Sequence, residues 1–131
     1  MILYLDTTEY GLIILSLLKK QGKTEKEIFR KEFTATGKSQ SEKLLPSIDK
    51  FLTLVKVSWN KIKVIRVKNQ GGSFTGLRLG VITANTLAWS KNLKLEGTKD
   101  DYIIKAGIKL LKPIYEKEPD IVINKNKYGL D

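Results

Sequence analysis

Three short runs in this chain bring together residue types that handle phosphate. Asp6-Thr7-Thr8 follows a short apolar run, and its carboxylate and hydroxyls could hold a magnesium-bound phosphate. The same side chains also cap tight turns. Gly71-Gly72-Ser73 stands between an alternating apolar run and a long apolar one, where free backbone N–H groups and a helix N-terminus favour an anion. A glycine pair equally serves a sharp turn. Gly22-Lys23-Thr24 looks like the end of a P-loop, but Leu17 stands where the first glycine is needed and no helix follows, so it reads as a turn. The sequence has no cysteine and no histidine. A Ser-His-Asp triad, a Cys-His dyad and a histidine-bearing zinc site are therefore excluded.

Charge is the second chemical signal. The formal net charge is +10, and from Lys50 to Lys94 there is no acidic residue at all. Lys61, Lys63, Arg66, Lys68, Lys91 and Lys94 are candidates for contacts to RNA phosphates, with Trp59 and Trp89 in the same region as bases' stacking partners or core residues. A lysine-rich composition without a ligand would leave the same trace.

The elements that position these residues are legible from periodicity. Ile2–Leu5, Tyr10–Leu18 and Glu27–Thr34 read as three strands in an antiparallel meander, since the links are too short for parallel crossovers. Gly37-Lys38-Ser39 starts an amphipathic helix with Leu44, Leu45, Ile48, Phe51, Leu52 and Val55 on one arc. Pro46 should bend or restart it. Lys63–Val67 is a fourth strand, Lys94–Glu96 a fifth, and Asp100–Lys112 a helix closed by Pro113. Ile121–Ile123 is a last extended piece. Three strands followed by alternating helix and strand give an α/β fold with a mixed sheet. A chain of 131 residues fits one domain.

The longest-range pattern is the helix expected from Phe74 to Ser90. Gly76, Gly80, Ala84 and Ala88 recur every four residues and form a small-residue stripe suited to close packing. Each glycine costs about 1 kcal/mol of helix stability relative to alanine, which a close backbone approach would offset. Leu79, Ile82, Thr83, Thr86 and Trp89 lie away from the stripe, and Leu54 lies away from the main arc of the first helix. These six are candidates for a partner interface. No run spans a bilayer, no signal peptide is recognisable, and a cytoplasmic, soluble protein is expected.

The run Gly72-Ser73-Phe74-Thr75-Gly76-Leu77-Arg78-Leu79-Gly80 resembles the signature of the TsaB (YeaZ) family. Asp6-Thr7-Thr8, Ser41-Glu42-Lys43-Leu44-Leu45-Pro46 and the ending Lys112–Asp120 fall in that family's order. The resemblance implies an actin-like, ribonuclease H-like lobe and a part in making threonylcarbamoyladenosine on tRNA. It implies a non-catalytic subunit that docks on a TsaD-like catalytic subunit through two helices, here Ser39–Val57 and Phe74–Ser90, with a TsaE-like ATPase joining them. Relatives usually have two lobes, so an internal loss of the second is expected, leaving one lobe over 1–112 and an extended tail over 113–131. The family's Gly-x-Gly-Pro-Gly loop is also altered, with Lys68, Gln70 and Gly71 in place of the first two glycines and the proline.

The expectation is thus a scaffold subunit without cofactor, metal or catalytic residues, docking on a TsaD-like partner or on a second copy of itself. Two alternatives stand beside it. One is a basic tRNA-binding module; the other is a small ATPase using Asp6, Thr7, Thr8, Gly71 and Gly72.

Overall fold

The structure is a computed structural model that describes residues 1–35 and 39–116. The strands β1 (Ile2–Asp6), β2 (Leu12–Gln21) and β3 (Thr24–Thr34) lead into helix α1 (Gln40–Val55). A single 3-10 turn over Trp59–Lys61 precedes β4 (Val64–Val67), α2 (Phe74–Ser90) and β5 (Lys94–Gly97). The strands β6 (Tyr102–Lys105) and β7 (Ile108–Leu111) close the described chain. The first five strands form one sheet in the order β3-β2-β1-β4-β5. β1 to β3 run antiparallel, and β4 and β5 lie parallel to β1.

Period-two alternation selects the helix-facing side. Leu3, Leu5, Ile13, Leu15, Leu17, Ile65 and Val67 are all fully buried and join one core with Leu44, Ile48, Phe51 and Leu52 of α1 and Ala84, Leu87 and Ala88 of α2. Burying a side chain of this size contributes about 1.5–3 kcal/mol. α1 runs unbroken through Pro46, contrary to the expected bend or restart. Pro46 and Glu42 are both solvent-exposed, so the carbonyl left without a donor four residues back is open to water.

The opposite side of the sheet carries Tyr4, Arg66 and a long arm. Arg66 Nη1 lies 2.8 Å from Glu25 Oε2, although β3 is three strands away from β4. In a flat sheet that separation is about 14 Å. The β2–β3 hairpin must therefore curl across this side, and the register shift between Leu17 and Leu18 supplies the bend.

The expected helix over Asp100–Lys112 is instead the β6–β7 hairpin. Ala106 and Gly107, with φ of 50° and 77°, form its two-residue turn. Positive φ at both central positions matches the twist of paired strands and cannot continue a helix. The expected extended piece Ile121–Ile123 lies outside the described residues, as do Gly37 and Lys38. Among the described residues, no helix is long and apolar enough to cross a membrane.

Candidate functional site

The site is the helix side of the sheet, and α2 sets its geometry. Ser73 caps α2, its hydroxyl accepting the N–H of Gly76 at 3.0 Å. The stripe of Gly76, Gly80, Ala84 and Ala88 faces the chain's own sheet, together with Leu77, Val81 and Leu87. A Cβ on Gly80 would stand 2.6 Å from Thr7 Oγ1 and 3.3 Å from Val67 Cγ2. The close approach expected of the small residues is thus made by β1 and β4.

Among the described residues, the outward side of α2 makes no such close approach. Ile82 is 57% exposed and Trp89 71% exposed, with Leu79 and Thr83 half-buried beside them and Thr86 exposed. Thr86 returns its hydroxyl to the carbonyl of Ile82 at 2.9 Å, which removes a polar group from the outward row. On α1, Leu54 and Leu45 are exposed. Leu45 is missing from the sequence-derived set because it shares the apolar arc with Leu44, and only the helix's rotation on the sheet separates the two.

Between the first halves of α1 and α2 lies a groove of about 930 Å³, lined by Tyr10, Gln40, Phe74, Arg78, Leu79 and Ile82 among others. Gln40 holds the α1 end of it. Its side-chain amide nitrogen lies 3.1, 3.0 and 2.7 Å from the carbonyls of Thr7, Glu9 and Leu12. Tyr10 and Phe74 also went unpredicted; a turn tyrosine and the first residue of a helix carry no periodic signal.

Asp6, Thr7 and Thr8 sit at the end of β1 and serve the fold locally. Asp6 Oδ1 accepts both the N–H of Thr8 at 2.8 Å and its hydroxyl at 2.6 Å. Thr7 donates its hydroxyl to Gly76. Gly71 and Gly72 lie beside this turn with φ of 79° and 78°, and their loop is occupied by the chain itself. The N–H of Gly71 goes to the carbonyl of Ile114 at 3.2 Å and that of Ser73 to Thr8 at 2.7 Å. Glu116 places its carboxylate over Gly71, and Tyr115 stacks on Phe74 with ring centroids 4.6 Å apart.

The basic candidates separate into two groups. Lys61, Lys63, Lys91 and Lys94 gather where β4 and β5 begin and α2 ends, whereas Lys68 lies past the far end of β4. Arg66 is held by Glu25 at 2.8 Å and Glu96 at 3.5 Å. The hydrogen bond from Arg66, opposed in part by burial, lowers the Glu25 carboxyl below its ordinary value, and the same bond raises the Arg66 guanidinium.

Comparison with known proteins gives this geometry a lineage. The family described as TsaD, tRNA N6-adenosine threonylcarbamoyltransferase, matches residues 34–100, just over half of the 131-residue chain. The tRNA threonylcarbamoyladenosine biosynthesis protein TsaB of Bacillus subtilis is 29% identical over 119 residues, covering 88% of this chain and 49% of that protein. The structure of YeaZ from Pseudomonas aeruginosa superposes with a TM-score of 0.60 at 20% identity, over 76% of this chain and 42% of the other. An uncharacterized Pseudomonas aeruginosa protein with similarity to peptidase YeaZ gives 0.61 at 19%, over 76% and 43%. What these structures share with the chain is the fold, one actin-like, ribonuclease H-like α/β lobe with a mixed sheet. The chain spans about half the length of the curated relative it matches. With its strand order, its glycine-opened α2 and the family match over just over half its length, the chain belongs to the family described as TsaD, tRNA N6-adenosine threonylcarbamoyltransferase, and is similar to TsaB and YeaZ.

Proposed function

We propose that this chain is a non-catalytic, cytoplasmic subunit in the synthesis of threonylcarbamoyladenosine on tRNA. It docks the outward sides of α1 and α2 on a TsaD-like catalytic subunit. A TsaE-like ATPase joins that assembly, and in the absence of the catalytic subunit a second copy of this chain takes the same surface. The observation that carries the reading is the exposed apolar row of Leu54, Ile82 and Trp89, with half-buried Leu79 beside it, on helices whose inner sides are already filled by the sheet. An apolar row of this kind marks an interaction surface. A standard interface removes about 1,600 Å² in total from water, which two parallel helices of this length can supply. The absence of histidine and cysteine removes the usual general base and thiol nucleophile, in keeping with a supporting role.

Co-expression with the catalytic subunit and size-exclusion chromatography test this. One shared peak at micromolar concentration is expected. Separate elution of the two chains would refute the docking.

A further inference from the structure

We infer that the end of the sheet where β1, β4 and β5 begin is a binding surface for the phosphate backbone of structured RNA. The register brings its lysines together. Leu18, Ile2, Val64 and Lys94 lie in one row across four strands. One row further out, Lys19 and Lys63 flank Met1, about 10 Å apart across two strand spacings. Lys61 precedes this row in the 3-10 turn, and Lys56 and Lys91 cap the C-terminal ends of α1 and α2 at the same pole.

All six of these lysines are exposed, and none forms an ion pair among the described residues. Of the carboxylates near the pole, Glu25 and Glu96 are turned to Arg66 and Glu27 to Arg30 and Ser16, while Asp49 lines a hollow with Lys56. What remains is a surface of lysines, flexible point charges that suit phosphates without reading sequence. One indole lies within it: Lys91 Nζ stands 4.4 Å from the centre of the half-buried Trp59 ring. A membrane headgroup layer or an acidic protein would use the same charge; what favours RNA is the family's description, which names tRNA as the modified molecule. This surface lies at the other end of the helices from the groove, and the inference does not rest on the docking proposed above.

The fold supplies its own charge-matched control. Lys63 and Lys68 flank β4, Lys94 begins β5 and Lys99 lies two residues past its end. Binding of a fluorescent unmodified tRNA to the full chain alone is measured by anisotropy across a salt series. Lys63→Glu with Lys94→Glu should weaken binding about tenfold or more and flatten the salt dependence by nearly two log units per tenfold salt. Lys68→Glu with Lys99→Glu, the same charge change at the opposite pole, should weaken it severalfold less. The Lys→Gln versions of both pairs should keep that ranking with smaller effects, which covers the case of a charge-reversed variant that folds poorly. Equal losses at both poles would reduce the effect to net charge and overturn the inference. So would no tRNA binding at about 50 mM salt, or capture by phosphatidylserine vesicles without capture of tRNA.

Discussion

The hydroxyl of Thr7 donates to the carbonyl oxygen of Gly76 at 2.6 Å, in the first turn of α2. This bond joins residues 69 positions apart and pins the start of the helix to the end of β1, where the sheet and the α1–α2 groove meet. The contact leaves no room for a side chain at Gly76, because a Cβ there would overlap the backbone oxygen of Thr7.

Gly76→Ala should therefore destabilise the protein despite alanine's better helix propensity. The propensity gain is about 1 kcal/mol, and overpacking against rigid backbone costs about 1–3 kcal/mol. A net loss of up to about 2 kcal/mol is expected, read as a lower urea midpoint at unchanged slope. Thr7→Val keeps the volume and loses the bond, at about 1 kcal/mol.

Adjacent residues on α2 should behave oppositely when charged. Ile82→Asp places a carboxylate in solvent, and the chain should keep its fold while losing the shared peak with the catalytic subunit. Val81 is 3% exposed against the sheet, so Val81→Asp buries an unpaired charge and should unfold the protein. Circular dichroism with size exclusion separates the two. An unfolded Ile82→Asp variant would place Ile82 in the core and contradict the exposure that the docking reading uses.

Asn85 holds the β6–β7 hairpin to α2. Its amide accepts the N–H of Leu111 at 2.9 Å and donates to the same residue's carbonyl at 3.0 Å, satisfying a strand edge as another strand would. Asn85→Ala leaves both groups of a buried residue unpaired, and a loss of about 1–3 kcal/mol is expected. Hydrogen exchange should show the Leu111 amide, with the rest of β7, exchanging faster while β1 and β4 are unchanged.

Tyr4 should impose an alkaline limit on stability. Burial, reinforced by the negative charge of Asp6, pushes its hydroxyl up to about 12 from an ordinary value of 10.0. In the unfolded chain Tyr4 ionises first, so its contribution is intact below pH 10.0 and is lost as pH rises towards about 12. Thermal melts of wild type and Tyr4→Phe across this window should converge at lower pH and separate above it, with the variant losing less. Taking the difference cancels the lysines and other tyrosines that titrate there.

The sequence itself carried the five sheet strands, the two helices and the small-residue stripe, because hydrophobic periodicity is a local property that survives without tertiary context. It also carried the glycine-opened helix by which the family is recognised. It failed over Asp100–Leu111. Ile103, Ile104, Gly107, Ile108 and Leu111 fit a helical arc, yet the same residues fit two short strands around Ala106-Gly107. The β-branched isoleucines and the glycine turn were the signals that a hydrophobic arc outweighed.

Only the tertiary structure decided which side of α2 is buried, since a helix apolar nearly all round satisfies either choice until a sheet shaped to its glycines fixes its rotation. The same holds for charge. Arg66 and Lys63 are three residues apart in the chain, but a hairpin arm from the far edge of the sheet reaches Arg66 and leaves Lys63 in water. Composition counts charges; the strand register and the curl of that arm decide which of them a phosphate can meet.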